Sequence, residues 1–152
     1  AGPMRRTVVV VLAVLTVMVS ACGGDDEAPP PTASELGALV EDYEWPAEPP
    51  SGAALVAFLA ADGGVPPARW VVERANMCAW YSRWLALSRG EVAGDIAAVE
   101  SYITDVVTQF DMIREVAAGA QSVRENVAQA RAGNDVPMVT FVDVNDCDVL
   151  GV

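Results

Sequence analysis

Between residues 96 and 117 the apolar side chains recur at alternating spacings of three and four: Ile96, Val99, Ile103, Val106, Phe110, Ile113 and Ala117. The stripe runs through three heptads, with Glu100, Asp105, Asp111 and Glu115 off it. One buried and one wet helix face gives that pattern. Val116, Ala120, Val123, Val127 and Ala130 carry a similar stripe onward, shifted near Gly119, until Gly133-Asn134 stops it. The spacing predicts one long helix to about Arg131, or two helices broken at Gly119. Such a stripe can zip into a coiled-coil dimer. Beside other amphipathic helices it more often closes an intramolecular bundle.

Those other helices are legible upstream. Thr32-Ala33-Ser34-Glu35 matches a capping box, so a short helix is expected over about 33–43, with Leu36, Leu39 and Val40 on one face. Trp45-Pro46 and Pro49-Pro50 end it. Ser51 is placed to cap a second helix, about 52–61, which buries Leu55, Val56, Phe58 and Leu59 and stops at Gly63-Gly64. Pro66 or Pro67 can start a third helix, running to about Ser88 before Gly90. On it Trp70, Met77, Tyr81, Trp84 and Leu85 fall within about 100° of arc, with Trp80 at the edge and Arg74 on the same arc. Aromatics at this spacing usually fill a core, and a ligand groove is the other reading. Arg74 is expected to snorkel or to pair with an acid of another helix. Val136 to Val144 (VPMVTFVDV) is β-branched and partly alternating, hence strand-like, but has no second strand to pair with. An extended segment packed on the helices is expected there.

Composition removes many chemistries. All nine basic residues are Arg, and the chain has neither Lys nor His. Catalysis that needs an imidazole base is excluded, as are Schiff-base chemistry and His-ligated zinc or haem. The 21 acids give a net charge of −12. That field repels phosphate backbones, so nucleic acid is not an expected partner.

The N-terminus reads as an address. Met4-Arg5-Arg6 is a short positive region, and Thr7 to Ser20 is an uncharged apolar run of 14 residues. A membrane-spanning helix needs about 20, so the run fits the hydrophobic region of an export signal. Ala1-Gly2-Pro3 precedes it and is left out of the fold reading. Val19-Ser20-Ala21-Cys22 places small residues before a cysteine. Residues 4–22 thereby resemble the lipobox signal of bacterial lipoproteins, with Val19 where Leu is commoner. The resemblance implies that residues 1–21 are removed and that Cys22 carries diacylglycerol and sometimes an amide-linked acyl chain such as palmitate. It places the protein on the extracytoplasmic face of a cell membrane, lipid-anchored. Two or three acyl chains hold firmly where one holds reversibly.

From Cys22 onward 7 Arg stand against 21 acids, a charge of −14, so attachment would come from lipid and not from basic residues. Residues 22–31, with Asp25-Asp26-Glu27 and Pro29-Pro30-Pro31, read as a flexible linker. Residues 32–152 read as one helical extracytoplasmic domain. Residues 22–62 hold nine acids and no cation, whereas 63–152 hold twelve acids and seven Arg. The acidic third serves solubility and standoff, or meets a basic partner.

With Cys22 assigned to lipid, Cys78 and Cys147 remain, an even pair in an exported domain. Oxidation would join them across 69 residues. A loop of that size is worth about 4 kcal/mol in the chain-entropy model. The fold expectation is therefore mainly α: a small helical bundle with an extended C-terminal tail pinned by a disulfide. Asp143-Val144-Asn145-Asp146-Cys147-Asp148 has oxygen ligands where a calcium loop begins, but Cys at its fifth place and Asp at its sixth break that pattern. No metal, cofactor or catalytic residue is assigned, and no enzyme activity is expected. The leading expectation is an accessory or scaffold protein docked on a larger membrane or cell-envelope complex, with Trp45 and Trp80 as contact residues. A small-ligand carrier using Trp70, Tyr81 and Trp84, and a carboxylate-dependent hydrolase, are the alternatives.

Overall fold

The structure, a computed structural model, describes residues 28–151. The signal-like run, Cys22 and the acidic start of the linker lie outside the described residues. The rest is mainly helical, with no strand among the described residues.

Local sequence explains the first three helices. Helix α1 (Ala33–Val40) starts at the expected capping box: the Glu35 amide donates to Thr32 Oγ1 at 3.2 Å and the Thr32 amide donates to Glu35 Oε2 at 2.7 Å. The Thr32 amide, with the Thr32 hydroxyl donating to the same Oε2 at 2.8 Å, holds the Glu35 carboxyl below its usual range. Helix α2 (Gly52–Asp62) is capped by Ser51 and ends at Gly63, whose φ of +71° suits glycine. At Gly52 an added Cβ would overlap the Ala33 carbonyl, so the close approach of α2 to α1 requires glycine there. Helix α3 (Ala68–Ser88) follows Pro67, which sits at the N-cap one place before the first helical residue.

Helix α3 is the axis of the molecule. Val71, Val72, Ala75 and Cys78 pack with Leu36, Val40, Leu55, Phe58 and Leu59 of α1 and α2. Met77, Trp80, Tyr81, Trp84 and Leu85 pack with the helices that follow. Most α3 residues from Val71 to Leu85 are buried, so helices cover it on more than one side. Arg74 lies 4.5 Å over the Phe58 ring, a cation–π contact at the boundary of α3 and α2.

Beyond α3 the chain departs from expectation twice. The long stripe divides into α4 (Ile96–Asp105), a 3₁₀ turn (Val107–Gln109), α5 (Asp111–Arg114) and α6 (Gly119–Arg131). The shift at Gly119 marks the start of α6, but the chain also breaks near Val106. The cause is Glu73 on α3. Its carboxylate accepts from the amides of Asp111 at 3.0 Å and Met112 at 2.9 Å, which in an unbroken helix would bond to the preceding turn.

The second departure is the tail, which is helix α7 (Val136–Val144) and not an extended segment. Pro137 fits its first turn. Met138 is buried, and Phe141 meets Tyr81 edge-on at 4.6 Å between ring centroids. Met138, Phe141 and Val142 stand at spacings of three and four, so packing on α3 overrides their β-branched neighbours. The final 3₁₀ turn (Cys147–Leu150) carries Cys147, disulfide-bonded to Cys78 of α3 with the Cα atoms 5.3 Å apart.

Candidate functional site

Three donors of α3 and α4 converge on the backbone carbonyl of Glu44. Asn76 Nδ2 donates at 2.7 Å, Trp80 Nε1 at 3.1 Å and the Tyr102 hydroxyl at 3.2 Å. The Tyr102 hydroxyl is also 3.2 Å from Asn76 Oδ1, so its one proton serves two acceptors. Trp80 stacks on Tyr102 at 4.0 Å. Burial, and then the nearby Glu44 charge, push the Tyr102 hydroxyl up to about 12. This latch holds the α1–α2 connection against the body. Trp45 adds a bond of 3.0 Å from its indole N–H to the Val40 carbonyl at the end of α1, which also accepts from the Tyr43 amide at 3.3 Å.

Both expected contact residues thus have their indole N–H bonded inside the chain. Trp45 stays half-buried. Trp80 is 7 % exposed and lines a depression beside Ser101 and Asp105.

A second cluster surrounds Glu73, which is 2 % exposed. Besides the two amides, its carboxylate accepts from the Tyr43 hydroxyl at 3.2 Å. Arg69 donates to that hydroxyl at 3.1 Å and lies 3.6 Å from Asp42 and 3.8 Å from Asp111. Burial, then the Glu73 charge, raise the Tyr43 hydroxyl to about 12, with Arg69 opposing. The cleft in front measures about 320 Å³. Both Glu73 oxygens are engaged, so the carboxylate caps a helix start and neutral partners satisfy its charge.

Glu100 is the third case. Trp84 Nε1 donates to it at 3.0 Å and Arg131 Nε at 2.6 Å. Its place just off the apolar stripe suggested a wet residue, whereas the structure buries it between α4, α3 and α6. For Glu73 a signal did exist: with Trp70, Met77, Trp80 and Trp84 it keeps the three-and-four spacing of the buried arc. Nothing in the sequence marked Arg131 as the partner of Glu100.

Trp70, Tyr81 and Trp84 do not share one of the described pockets: Tyr81 is core, Trp84 is buried but borders a cleft with Glu100 and Arg131, and Trp70 is half-buried. Burial raises the Tyr81 hydroxyl to about 12; Asn126 is near enough to temper the shift but makes no hydrogen bond of good geometry. An apolar groove of about 850 Å³ lies elsewhere, between Pro29–Pro31, Leu39 and Val65–Ala68. The last linker residues form one side of this groove and α1 another. Among the described residues no three His, Cys, Asp or Glu side chains are placed to hold a metal ion, and no helix is long and apolar enough to cross a membrane. Comparison of the chain with protein families, curated proteins and solved structures returns no match.

Proposed function

We propose that the protein is a lipid-anchored, extracytoplasmic accessory or scaffold protein that acts by binding a larger membrane or cell-envelope assembly. The observation that carries the export half of this reading is the Cys78–Cys147 bond, buried between α3 and the C-terminal turn. Structural disulfides persist in oxidising compartments. The positive start, the apolar run and the small residues before Cys22 supply the anchor. Binding rather than catalysis is favoured because Glu73 and Glu100 are both engaged in holding helices together.

The linker composition of residues 22–31 sharpens this. Extended, about nine such residues reach on the order of 28 Å. The domain is then held close to one membrane face, which raises the local concentration of a partner there. The groove beside Pro29–Pro31 supports a carrier as the second reading, at a place other than the aromatic face.

Mass spectrometry of the N-terminus of membrane-purified protein tests the anchor. Acyl chains on Cys22 are expected, and Cys22→Ser should release the protein from the membrane or leave an uncleaved precursor. An unmodified Cys22 in membrane-purified protein would overturn the reading.

A further inference from the structure

Helix α7 buries Met138 and half-buries Phe141 and Val142 against the body. At about 100° per residue the opposite side carries Val136, Thr140 and Val144, with Asp143 along its edge. Val136 and Val144 are 62 % and 71 % exposed, the highest values among the exposed large apolar side chains described. β-Branched residues are poor helix formers, and here no packing compensates them.

The charges beside this face are equally uncompensated. Asp143 stands in the last turn of α7, where the helix end already carries negative partial charge and no basic residue answers it. The following turn adds Asp146, held at a φ of +51°, and Asp148. Residues 132–152 contain no Arg, Lys or His, and none of these three acids forms an ion pair among the described residues. A cation brought to this end would meet Asp143 and the helix terminus, with Asp146 and Asp148 following within five residues along the chain.

We propose that the outer face of α7 docks a protein segment that presents apolar side chains edged by Arg or Lys. This deepens the docking reading above by naming the surface and the chemistry of its partner. A second copy of this chain would set Asp143 against like charge, and an anionic membrane surface would meet the same repulsion. A basic, apolar protein segment satisfies both features at once.

The test uses the full chain held in phosphatidylcholine nanodiscs and a labelled amphipathic peptide with a Leu face edged by Arg, read by fluorescence anisotropy against empty nanodiscs. Saturable binding is expected, with the Glu-edged counterpart failing to bind. The doubly substituted V136D/V144D chain should weaken binding by about tenfold or more, a loss of about 1.4 kcal/mol. Asp143→Asn, Asp146→Asn and Asp148→Asn together should weaken it and flatten its salt dependence; Asn tolerates the left-handed backbone at 146. Circular dichroism should leave both variants folded, since the altered side chains are exposed. Val116→Asp and Glu115→Gln, exposed at a different place, should leave binding unchanged. Equal loss from these controls, equal binding of the Glu-edged peptide, or self-association abolished by Val144→Asp would each overturn the proposal. The same titration of the Cys22→Ser chain in neutral detergent should give the same binding, so failure of the anchor and failure of this face are read separately.

Discussion

On one side of α3, Val71, Val72, Ala75 and Cys78 meet the aliphatic side chains of α1 and α2, and Cys78 is bonded to Cys147. On the other side, Trp80, Tyr81 and Trp84 meet Tyr102, Ile103, Phe110 and Met138, with Glu73 and Glu100 buried at its margins. The first region is small and mostly aliphatic, and a covalent bond ties it to the C-terminal turn. The second is larger and aromatic, and most of its polar handles are matched: Trp80 to the Glu44 carbonyl, Trp84 to Glu100, Glu73 to two amides, with the Tyr81 hydroxyl the exception. A small core buries too little surface to hold distant chain segments by packing alone, whereas a larger aromatic core can do so when most of its N–H and O–H groups find acceptors.

Breaking the covalent side should have one of the largest effects. Cys78→Ser and Cys147→Ser should each cost about 2–5 kcal/mol, and the double variant little more, because both remove one bond. Urea unfolding of the oxidised protein and its variants checks this. Additive losses would show that each thiol contributes separately and that the bond does not hold the small core.

Breaking the polar side tests whether matched groups do the equivalent work. Glu73→Ala strands the Asp111 and Met112 amides and the Tyr43 hydroxyl, at a cost of about 3 kcal/mol. Amide hydrogen exchange should speed at residues 111 and 112 before the rest of the chain. Unchanged protection there would mean that the break between α4 and α5 is not held by Glu73.

The two regions also differ in how far the sequence disclosed them. Residues 32–88 were legible because their signals are local: Thr32 and Glu35 box the start of α1, Ser51 and Gly63 bracket α2, and Gly90 follows α3. Residues 96–144 were legible only in part: the start at Ile96, the shift at Gly119 and the stop at Gly133 were readable, but long-range partners decide the rest. The stripe through Phe110 and Ile113 is the same whether or not Glu73 captures the next amides. The β-branched run at 136–144 reads as strand until Tyr81 is placed under Phe141. The Cys78–Cys147 bond was legible from parity and compartment. The latch on Glu44 was not, since a backbone carbonyl carries no sequence signal.

Alkaline titration sharpens the comparison further. All three tyrosines, Tyr43, Tyr81 and Tyr102, have hydroxyls raised from 10.0 to about 12, each chiefly by burial. Unfolded tyrosine releases its proton near 10, so between 10 and 12 the folded state binds more protons and stability falls as pH rises. Tyr81, the most buried, should account for about 2 kcal/mol of that fall, and the partly exposed pair for less. Tyrosinate absorbance should therefore stay low at pH 10 and rise together with loss of helix. Titration of any tyrosine at its ordinary pKa in the folded protein would contradict the packing of that hydroxyl.

The smallest expected effect separates Trp80 as an anchor from Trp80 as a contact residue. Trp80→Phe keeps an aromatic ring against Tyr102 but removes the indole N–H from the Glu44 carbonyl. Asn76 and Tyr102 still donate to that oxygen, so no buried acceptor is left empty. The loss should be about 1 kcal/mol, with an unchanged denaturant slope because the surface exposed on unfolding hardly alters. Trp80→Ala removes the stack as well and should cost about 3–5 kcal/mol, the range for truncating a buried Trp. No measurable loss from Trp80→Phe would mean that the other two donors hold the connection alone. A loss as large as that from Trp80→Ala would mean that the three donors act as one cooperative unit, and the aromatic side of α3 would then depend on its latch as the aliphatic side depends on its disulfide.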